Sequence, residues 1–240
     1  MSLDTRVAEA TALLQRVVAR HPPAALASSF GVEDMVLTDL IARHALPIAI
    51  FTFDTGRLPG ETYAFIDRVR ERYALQVEVH CPDARALEGY VRDHGVNAFY
   101  RSVELRLRCC AIRKAEPLAR ALAGRGAWIS GQRRAQSVTR RDLAVEEFDP
   151  VHTLPKFNPL ADWTDDEVWG YVRANAVATN PLHARGYPSI GCAPCTRAVE
   201  PGEDARAGRW WWEHPEHKEC GLHRAPLKSM PRIASDRVPS

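Results

Sequence analysis

Hydrophobic residues along the first 130 positions alternate between short apolar runs and stretches with helical spacing. Between residues 61 and 73, for example, the apolar positions Ala64, Phe65, Ile66 and Val69 fall on one helical face. Apolar runs lie at 24–27 and 47–53, the second of a kind typical of buried parallel strands, and further short strands are predicted at 76–80 and 127–130. Strands that alternate with helices predict an α/β fold with a mostly parallel sheet and helices on both faces.

Polar loops follow three of these predicted strands, at 28–34, 54–56 and 131–137. Because the carboxyl ends of parallel strands meet at one edge of a sheet, these loops should line one rim, where ligands bind in open α/β sheets. The first loop suits an anion at a helix start, but taken by itself this motif is better explained as an ordinary helix cap. It lacks the glycine and lysine pattern of an ATP-hydrolysing P-loop.

The character of the chain changes after residue 149. Residues 151–157 are predicted to be extended, and Thr164 with Glu167 forms a capping box that starts a helix over 168–174. We predict one domain over 1–223, with a nucleotide-binding core at about 22–150 and a metal-binding and catalytic segment at about 151–223. Proline, serine and lysine recur over 224–240, which predicts a mobile tail.

Charge and composition narrow the possible functions. The 240 residues include 32 basic and 30 acidic side chains, so no overall field favours nucleic acid or a membrane surface. Basic residues concentrate over 101–114, 133–141 and 197–209, which suits a compact anion. No signal peptide or membrane-spanning run is recognisable, so we predict a cytoplasmic protein, in which clustered cysteines bind metal or act in catalysis.

The cysteines carry the most unusual chemistry of the chain. Cys109 and Cys110 are adjacent, and Cys192 and Cys195 have C-x-x-C spacing. A thioredoxin-type motif is excluded, because too little chain follows Cys195 to complete that fold. A zinc site, an iron–sulfur cluster and plain reduced thiols remain open, although adjacent cysteines fit zinc poorly.

The two other cysteines differ in their surroundings. Cys220 stands between Lys218 and His223, whose positive charges would favour a reactive thiolate, whereas Cys81 follows an apolar strand and is interpreted as structural.

Cationic and aromatic residues near the cysteines suggest further contacts. Lys114 lies one helical turn after Cys110, so its ammonium could reach both a metal centre and a bound anion. Arg133, Arg134 and Arg141 either form a solvated face or bind phosphate or sulfate bidentately. Three consecutive tryptophans, 210–212, cannot all face one side, so at least one should cover a ligand, a cluster or a partner.

Several longer motifs together resemble the phosphosulfate reductase family, in its assimilatory, thioredoxin-dependent adenylyl-sulfate (APS) reductase branch. The resemblance runs from about residue 28 to residue 223. Its most specific parts are Arg108-Cys109-Cys110 with Lys114, Asn158-Pro159-Leu160, Asn180-Pro181-Leu182-His183, Ser189-Ile190-Gly191-Cys192-Ala193-Pro194-Cys195, Arg206-Ala207-Gly208-Arg209 and Glu219-Cys220-Gly221-Leu222-His223. Small departures are Phe53 and Ala178, where the family usually has leucine and proline.

The resemblance implies an adenine-nucleotide α-hydrolase-like fold and a role for each motif. Cys109, Cys110, Cys192 and Cys195 would hold a [4Fe-4S] cluster. Cys220 would be the nucleophile, with Lys114 and His223 as further catalytic residues. The residues implied in substrate binding are Ser28, Glu33, Asp34, Asp54, Thr55, Gly56, Arg133, Arg134, Arg141, Arg206 and Arg209. The implied reaction is the thioredoxin-dependent reduction of APS to sulfite and AMP through an S-sulfocysteine, in sulfate assimilation for cysteine biosynthesis.

Three other functions remain alternatives. Relatives that reduce 3′-phosphoadenylyl sulfate (PAPS) generally lack both cysteine pairs, so the cysteines favour APS, and dual use stays open. An RNA-thiolating enzyme of related fold would need an S-G-G-x-D-S loop, which residues 28–34 do not provide. A non-catalytic metal-binding or redox-sensing module would not need Cys220. The oligomeric state is left open.

Overall fold

A six-stranded sheet lies at the centre of the part of the chain that the computed structural model describes, residues 2–137 and 140–214. Its strands are β1 Ala24–Ala27, β2 Ile48–Phe53, β3 Val77–His80, β4 Ala127–Ser130, β5 Glu146–Asp149 and β6 Leu154–Phe157. The strand order across the sheet is β3-β2-β1-β4-β6-β5. All neighbours pair in parallel except β5, which pairs antiparallel with β6 at the edge. The mostly parallel sheet predicted from the sequence is confirmed.

Helices cover both faces of this sheet. They are α1 Leu3–Arg20, α2 Val32–Arg43, α3 Gly60–Tyr73, α4 Ala84–His94, α5 Val103–Cys110, α6 Glu116–Leu122 and α7 Asp165–Ala174. Because successive strand residues point to opposite faces, Leu26 of β1 packs with α1, α2 and α7 in the larger apolar cluster, whereas Ala25 packs with α6 and Trp128 in a smaller one. β1 is therefore buried on both sides, which explains why its sequence is apolar throughout.

Residues 103–122 are helical but do not form one regular α-helix. α5 ends at Cys110 and continues as a π-helix over Ala111–Ala115 before α6 begins. Pro117 is the second residue of α6 and has no N–H to donate back to the π-helical turn before it. π-helical turns are rare and often occur at functional sites, and this one follows directly after two adjacent cysteines.

Two boundaries differ from the prediction after residue 149. The extended segment narrows to β6, because residues 151–153 form a turn. The capping box is confirmed, since the Glu167 N–H donates to Thr164 Oγ1 at 3.2 Å, but α7 begins at Asp165 and not at residue 168. Among the described residues, no helix is long and apolar enough to cross a membrane.

Candidate active site

A cavity of about 660 Å³ opens at the carboxyl ends of the central strands. The loops after β1, β2 and β4 all contribute to its wall, through Ser28, Thr55 and Gly131. The prediction that these loops line one rim is therefore confirmed. The cavity is closed on its other side by residues 186–191 and 205–210 of the C-terminal segment.

Asp34 ties the loop after β1 to the loop after β4. Its carboxylate accepts hydrogen bonds from the N–H and Oγ of Ser29, both at 2.7 Å, and from the N–H of Gly131. A side chain at position 131 would collide with this carboxylate, so only glycine permits the close approach. Burial raises the pKa of Asp34 from 3.8 to about 6, against the lowering effect of the Ser29 hydrogen bonds. The geometry thus gives Asp34 a role in shaping the rim.

Arg133 is held between two carboxylates at the same rim. It is 3% exposed, and its Nε and Nη2 donate to Glu33 Oε1 at 3.0 and 2.7 Å, while Nη2 also contacts Asp165. Its Nη1 donates to the carbonyl of Trp163 at 3.0 Å. Arg133, Glu33 and Asp165 all line the cavity. Glu33 and Arg133 therefore face the ligand space as a preformed ion pair.

Four members of the predicted substrate-binding set lie away from the wall of this cavity: Asp54, Gly56, Arg134 and Arg141. Asp54 accepts from the Gly56 N–H at 2.8 Å and from the Tyr63 hydroxyl. Arg134 pairs with Asp162, and Arg141 is exposed. Of the three predicted residues in the loop after β2, the structure thus brings Thr55 to the cavity wall.

The two cysteine pairs meet in a second, smaller cavity. Cys109, Cys110, Cys192 and Cys195 all line a space of about 20 Å³. The first pair ends α5, and the second flanks the 3₁₀ turn Ala193–Cys195. Two contacts hold that turn beside the loop after β2: the Ala193 N–H donates to the Arg57 carbonyl at 2.8 Å, and the Thr55 hydroxyl lies 3.2 Å from Cys192 Sγ. The topology therefore gathers four sulfurs that are up to 86 residues apart in the chain (195 − 109).

Burial disfavours the ionised form of these thiols. It raises the pKa of Cys109, and it raises that of Cys195 to about 12, with the neighbouring Cys192 adding to the second effect. Nearby cations oppose both shifts, chiefly Arg113 at Cys109 and Arg209 at Cys195. A metal centre that binds thiolates would supply the missing positive charge.

Two observations bear on which metal centre the cysteines fit. Over residues 2–137 and 140–214, no three His, Cys, Asp or Glu side chains are grouped closely enough to hold a single metal ion. A cluster differs from a single ion because it places several irons and sulfides between its cysteines. The shared cavity and its all-sulfur donor set are compatible with such a cluster.

Lys114 lines both cavities, from its position in the π-helix. Arg206 and Arg209 line the larger cavity, and the Arg209 guanidinium lies 4.6 Å from the Trp210 ring centroid. A Cβ at position 191 would occupy the place of that guanidinium, so Gly191 makes room for it. Three predicted cations therefore line the larger cavity, and one of them, Lys114, also lines the cysteine cavity.

The three consecutive tryptophans face different surroundings, as their spacing predicts. Trp210 is buried in the wall of the large cavity, Trp212 packs beside Phe99 and Cys109, and Trp211 is 39% exposed.

Sequence reasoning overlooked several residues of the two cavities. Arg57, Arg106 and Arg113 line the cysteine cavity, and Gln132 and His183 line the larger one. Arg113 adjoins Lys114 and Gln132 adjoins Arg133, so proximity to a selected residue was an available signal for both. Cys220, Lys218 and His223 lie outside the described residues, as does the predicted tail 224–240.

Residues 23–198 match the model of the family described as the Phosphoadenosine phosphosulfate reductase domain. The chain belongs to this family. It is 56% identical, over 97% of its length and 93% of the relative, to an adenosine 5′-phosphosulfate reductase of Burkholderia cepacia. It is 53% identical, over 98% of its length and 94% of the relative, to the protein of the same name from Allochromatium vinosum.

Solved structures agree with this phosphosulfate reductase assignment. A phosphoadenylyl-sulfate reductase from Candida auris, in a phosphate complex, superposes with a TM-score of 0.68 at 25% identity, covering 82% of this chain and 96% of that chain. An NH₃-dependent NAD synthetase from Campylobacter jejuni shares the fold, with a TM-score of 0.55 at 12% identity, over 78% of this chain and 79% of that chain. The predicted adenine-nucleotide α-hydrolase-like fold is confirmed.

Proposed function

We propose that this member of the phosphosulfate reductase family reduces adenylyl sulfate to sulfite and AMP, in assimilatory sulfate reduction. The observation that carries the proposal is the position of Lys114, which lines both the cavity at the strand ends and the cavity of the four cysteines. A sulfonucleotide whose nucleotide lay at the rim would thereby present its anionic end to Lys114.

The choice of substrate is supported by the relatives. Proteins named adenosine 5′-phosphosulfate reductase match nearly the whole chain at 50% identity or more, in several bacteria. By the roles that the resemblance implies, Ser28, Glu33, Asp34 and Thr55 would lie on the nucleotide side. Arg206 and Arg209 would meet the phosphosulfate, because guanidinium groups match such anions bidentately.

The proposed reaction has two steps, and each is balanced in atoms and electrons. The Cys220 thiolate attacks the sulfate sulfur, a sulfur–sulfur bond forms, and the bond from that sulfur to the bridging oxygen breaks, so that AMP leaves with the electron pair. A thiolate of thioredoxin then attacks Cys220 Sγ and expels sulfite, and the second thioredoxin thiol resolves the mixed disulfide. Thioredoxin thus supplies the two electrons.

Cations are required because both steps bring negative groups together. Lys114, with Arg206 and Arg209, would stabilise the charge that develops on the sulfate and on the departing phosphate. His223 would assist Cys220 by favouring its thiolate. Arg133 would act mainly by orienting Glu33, to which it is bound.

Cys109, Cys110, Cys192 and Cys195 are the residues that would hold a [4Fe-4S] cluster. When bound, the cluster would adjust the electrostatics of the site, and no electron transfer through it forms part of the proposal. The buried thiols and the cations that line their cavity support this assignment. A cytoplasmic location, where thioredoxin and free thiols are kept reduced, is part of the same proposal.

The test is an anaerobic assay of the purified protein with APS and reduced thioredoxin, with sulfite, AMP, iron, sulfide and zinc measured on the same sample. We expect equal amounts of AMP and sulfite and about four irons per chain, the content of a Cys₄-bound cubane cluster. Cys220→Ser should abolish formation of the sulfo-adduct from labelled APS, whereas the control Cys81→Ser, at an exposed cysteine, should form it normally.

Two results would contradict the proposal. If the sulfo-adduct still formed in Cys220→Ser, Cys220 would not be the nucleophile. A protein with about four irons that turns over neither APS nor PAPS would remove the reaction. PAPS reduction, alone or beside APS reduction, is the second candidate, favoured by the Candida auris phosphoadenylyl-sulfate reductase among the structural relatives, and the ratio of the two kcat/KM values decides between them.

A further inference from the structure

A buried lysine fixes the orientation of a glutamine side chain in the wall of the larger cavity. Gln132 follows β4, lines the cavity and is 7% exposed. Lys156, in β6, is 6% exposed, and its Nζ donates to Gln132 Oε1 at 2.8 Å. Because a lysine ammonium only donates hydrogen bonds, a reversed amide would place its NH₂ group against another donor. The amide nitrogen of Gln132 therefore points away from Lys156.

Other contacts hold Lys156 in place behind the cavity wall. Its Nζ also lies 2.8 Å from Glu147 Oε1 and 5.0 Å from the Trp128 ring centroid. The same Glu147 oxygen accepts from Asn158 Nδ2 at 3.0 Å, and the Asn158 side chain is buried. A carboxylate and an aromatic face thus fix the ammonium independently of Gln132.

A second set of hydrogen bonds fixes the backbone at Gln132. Its N–H donates to Ser130 Oγ at 3.4 Å, and this hydroxyl donates to Asn158 Oδ1 at 2.6 Å. Both Ser130 and Asn158 are buried. Gln132 is therefore held at its backbone and at its amide oxygen, so little side-chain freedom is lost when it binds a ligand.

The amide nitrogen is the part of Gln132 that is left for a ligand. Over residues 2–137 and 140–214, no group accepts a hydrogen bond from Gln132 Nε2. Polar groups in a protein interior ordinarily have a hydrogen-bond partner. Because Gln132 lies in the cavity wall, an acceptor atom of a bound ligand can take this place.

The surroundings of Gln132 favour the uncharged part of a nucleotide. An apolar section of the cavity wall consists of Ala27, Phe53, Leu118 and Trp128, which belong to one hydrophobic cluster. Lys156 contacts both Trp128 and Gln132, so the amide lies beside this section. A neutral donor beside apolar walls suits a neutral acceptor, such as a ring nitrogen of the base or a ribose oxygen. Guanidinium groups suit phosphate and sulfate better.

We propose that Gln132 binds the nucleoside part of the substrate by donating a hydrogen bond from Nε2 to a neutral acceptor. Lys156 is then a positioning residue, which acts by setting the direction of this amide. The inference rests on the proposed function only in that a nucleotide occupies the larger cavity.

The first test measures the affinity of the purified protein for AMP and for adenosine. Gln132→Met removes the donor at nearly the same side-chain length and should weaken both ligands by about 3- to 10-fold, the effect of one neutral hydrogen bond. The control Gln15→Met, at an exposed glutamine of α1, should bind both ligands as the parent does.

Gln132→Glu separates the donor from the shape of the side chain. The carboxylate still accepts from Lys156, but it presents an oxygen to the ligand in place of the NH₂ group. Adenosine affinity should fall at least as far as in Gln132→Met. Because adenosine is uncharged, repulsion between the new carboxylate and a phosphate does not contribute to this loss.

The second test asks whether Lys156 acts through Gln132. Lys156→Met removes the ammonium and keeps the apolar stem, so the amide is free to turn and adenosine affinity should fall by about 2- to 5-fold. In the Gln132→Met background the same substitution should cause no further loss, because the two residues act as a unit. If Lys156→Met does not fold, Lys156→Met combined with Glu147→Met takes its place, since that variant leaves no unpaired charge.

Analogues of adenosine distinguish an acceptor on the base from one on the ribose. Deazaadenosines each lack one ring nitrogen, whereas 2′-deoxyadenosine and 3′-deoxyadenosine each lack one ribose hydroxyl. The analogue without the true acceptor should bind the parent about 3- to 10-fold more weakly than adenosine does. In Gln132→Met, that analogue and adenosine should bind alike.

Several results would overturn the inference. They are adenosine affinity that is unchanged in Gln132→Met or retained in Gln132→Glu, the lack of any analogue whose loss depends on Gln132, and a parent that does not bind adenosine. Equal losses from Lys156→Met with and without Gln132 would show that Lys156 merely supports the fold.

These results are distinct from a failure of the proposed function, which is measured by turnover. If the parent binds adenosine through Gln132 but reduces neither APS nor PAPS, the proposed function alone fails. If the parent reduces APS and the Gln132 variants bind adenosine as the parent does, this inference alone fails.

Discussion

The two cavities that Lys114 connects are built on opposite electrostatic plans. At the rim formed by the strand ends, Arg133 is paired with Glu33, and Asp34 accepts hydrogen bonds from the N–H and hydroxyl of Ser29 and from the N–H of Gly131. At the cysteine cavity, Arg106 is paired with Glu213, whereas Arg57 and Arg113 donate to the backbone carbonyls of Val96 and Thr55. Neither forms an ion pair with a carboxylate among the described residues.

This difference shows at which of the two cavities the charged groups are balanced without a bound ligand or metal centre. The rim is a preorganised surface whose shape depends on internal pairs. The cysteine cavity combines cations with buried thiols of raised pKa, so it is balanced only when the sulfurs are ionised. Binding to iron would keep the sulfurs ionised, so that their negative charge offsets these cations. Substituting a paired side chain at the rim should therefore lower the stability of the fold. Substituting a cysteine of the second cavity should instead lower the metal content.

The largest effect is expected from replacing a cluster cysteine. Cys192→Ser should lower the iron content from about four per chain to less than one and abolish adduct formation, because one thiolate ligand is lost. Iron, sulfide and visible absorbance are measured after anaerobic purification. Cys81→Ser, at an exposed cysteine, is the control and should retain full iron. Full iron in Cys192→Ser would contradict the proposed ligand set and the contrast between the cavities.

Lys114→Ala should have the next largest effect, because its ammonium lies between the two cavities. We expect single-turnover adduct formation to fall by about 100- to 1,000-fold, the usual effect of removing one electrostatic stabiliser. AMP affinity should change by less than about tenfold, since the nucleotide lies mainly at the rim. Arg120→Ala, at a surface residue of α6 that pairs with Glu116, serves as the control. An equal loss of AMP affinity and rate would place Lys114 in simple nucleotide binding.

At the rim, the buried carboxyl of Asp34 should make stability depend on pH. Its pKa is raised to about 6 in the folded protein, above the ordinary 3.8. Between these values the folded state holds a proton that the unfolded state has released, so the free energy of unfolding falls as the pH rises from about 4 to 6. The shift corresponds to about 3 kcal/mol as an upper bound. Above pH 6 this contribution is constant.

Asp34→Asn isolates that contribution. Urea unfolding of the parent and of Asp34→Asn is measured from pH 4 to pH 7, and the parent should lose stability relative to the variant as the pH rises. A difference between the two proteins that stays constant over this range would show that Asp34 does not titrate as its burial implies.

The smallest effect is expected for a single methyl group at the rim. Gly131→Ala should lower the free energy of unfolding by about 1–3 kcal/mol, because its Cβ would meet the Asp34 carboxylate and backbone. AMP binding should weaken with it. Gly60→Ala, at the start of α3 with open space around the new methyl, is the control and should not be destabilised. If both variants unfold alike, the close approach of the two loops is not required.

Most of the fold could be predicted, because the parallel strands are buried on both faces and their apolar runs are continuous. β5 was not predicted, since its sequence Glu-Glu-Phe-Asp is largely exposed at the edge and shows no apolar pattern. The π-helix after Cys110 was not predicted either, because one inserted residue per turn leaves almost no mark on hydrophobic spacing.

The sequence predicted which loops form the candidate site, but it predicted few of the side-chain contacts between them. The sequence pointed to Thr164 and Glu167 as a helix cap, but only the three-dimensional structure shows that the adjacent Asp165 contacts Arg133. The same holds for Arg106 and Glu213, which are 107 residues apart. Long-range pairings of this kind depend on topology, which a local pattern does not encode.

The edge strand β5 has a consequence for how copies of this protein behave at high concentration. An uncovered strand at the border of a sheet offers free N–H and C=O groups to any other extended chain, which favours aggregation. Here that border is short and bears Glu146, Glu147 and Asp149, and the opposite border, β3, carries Glu78. Three of these carboxylates are paired with cations, Glu146 with Arg16, Glu147 with Lys156 and Glu78 with Arg125. Another strand could pair at either edge only by desolvating these charged groups, which discourages sheet-to-sheet growth. The carboxylates of β5 are also the reason why its sequence shows no apolar pattern. The same side chains thus disfavour self-association of the folded protein through its sheet.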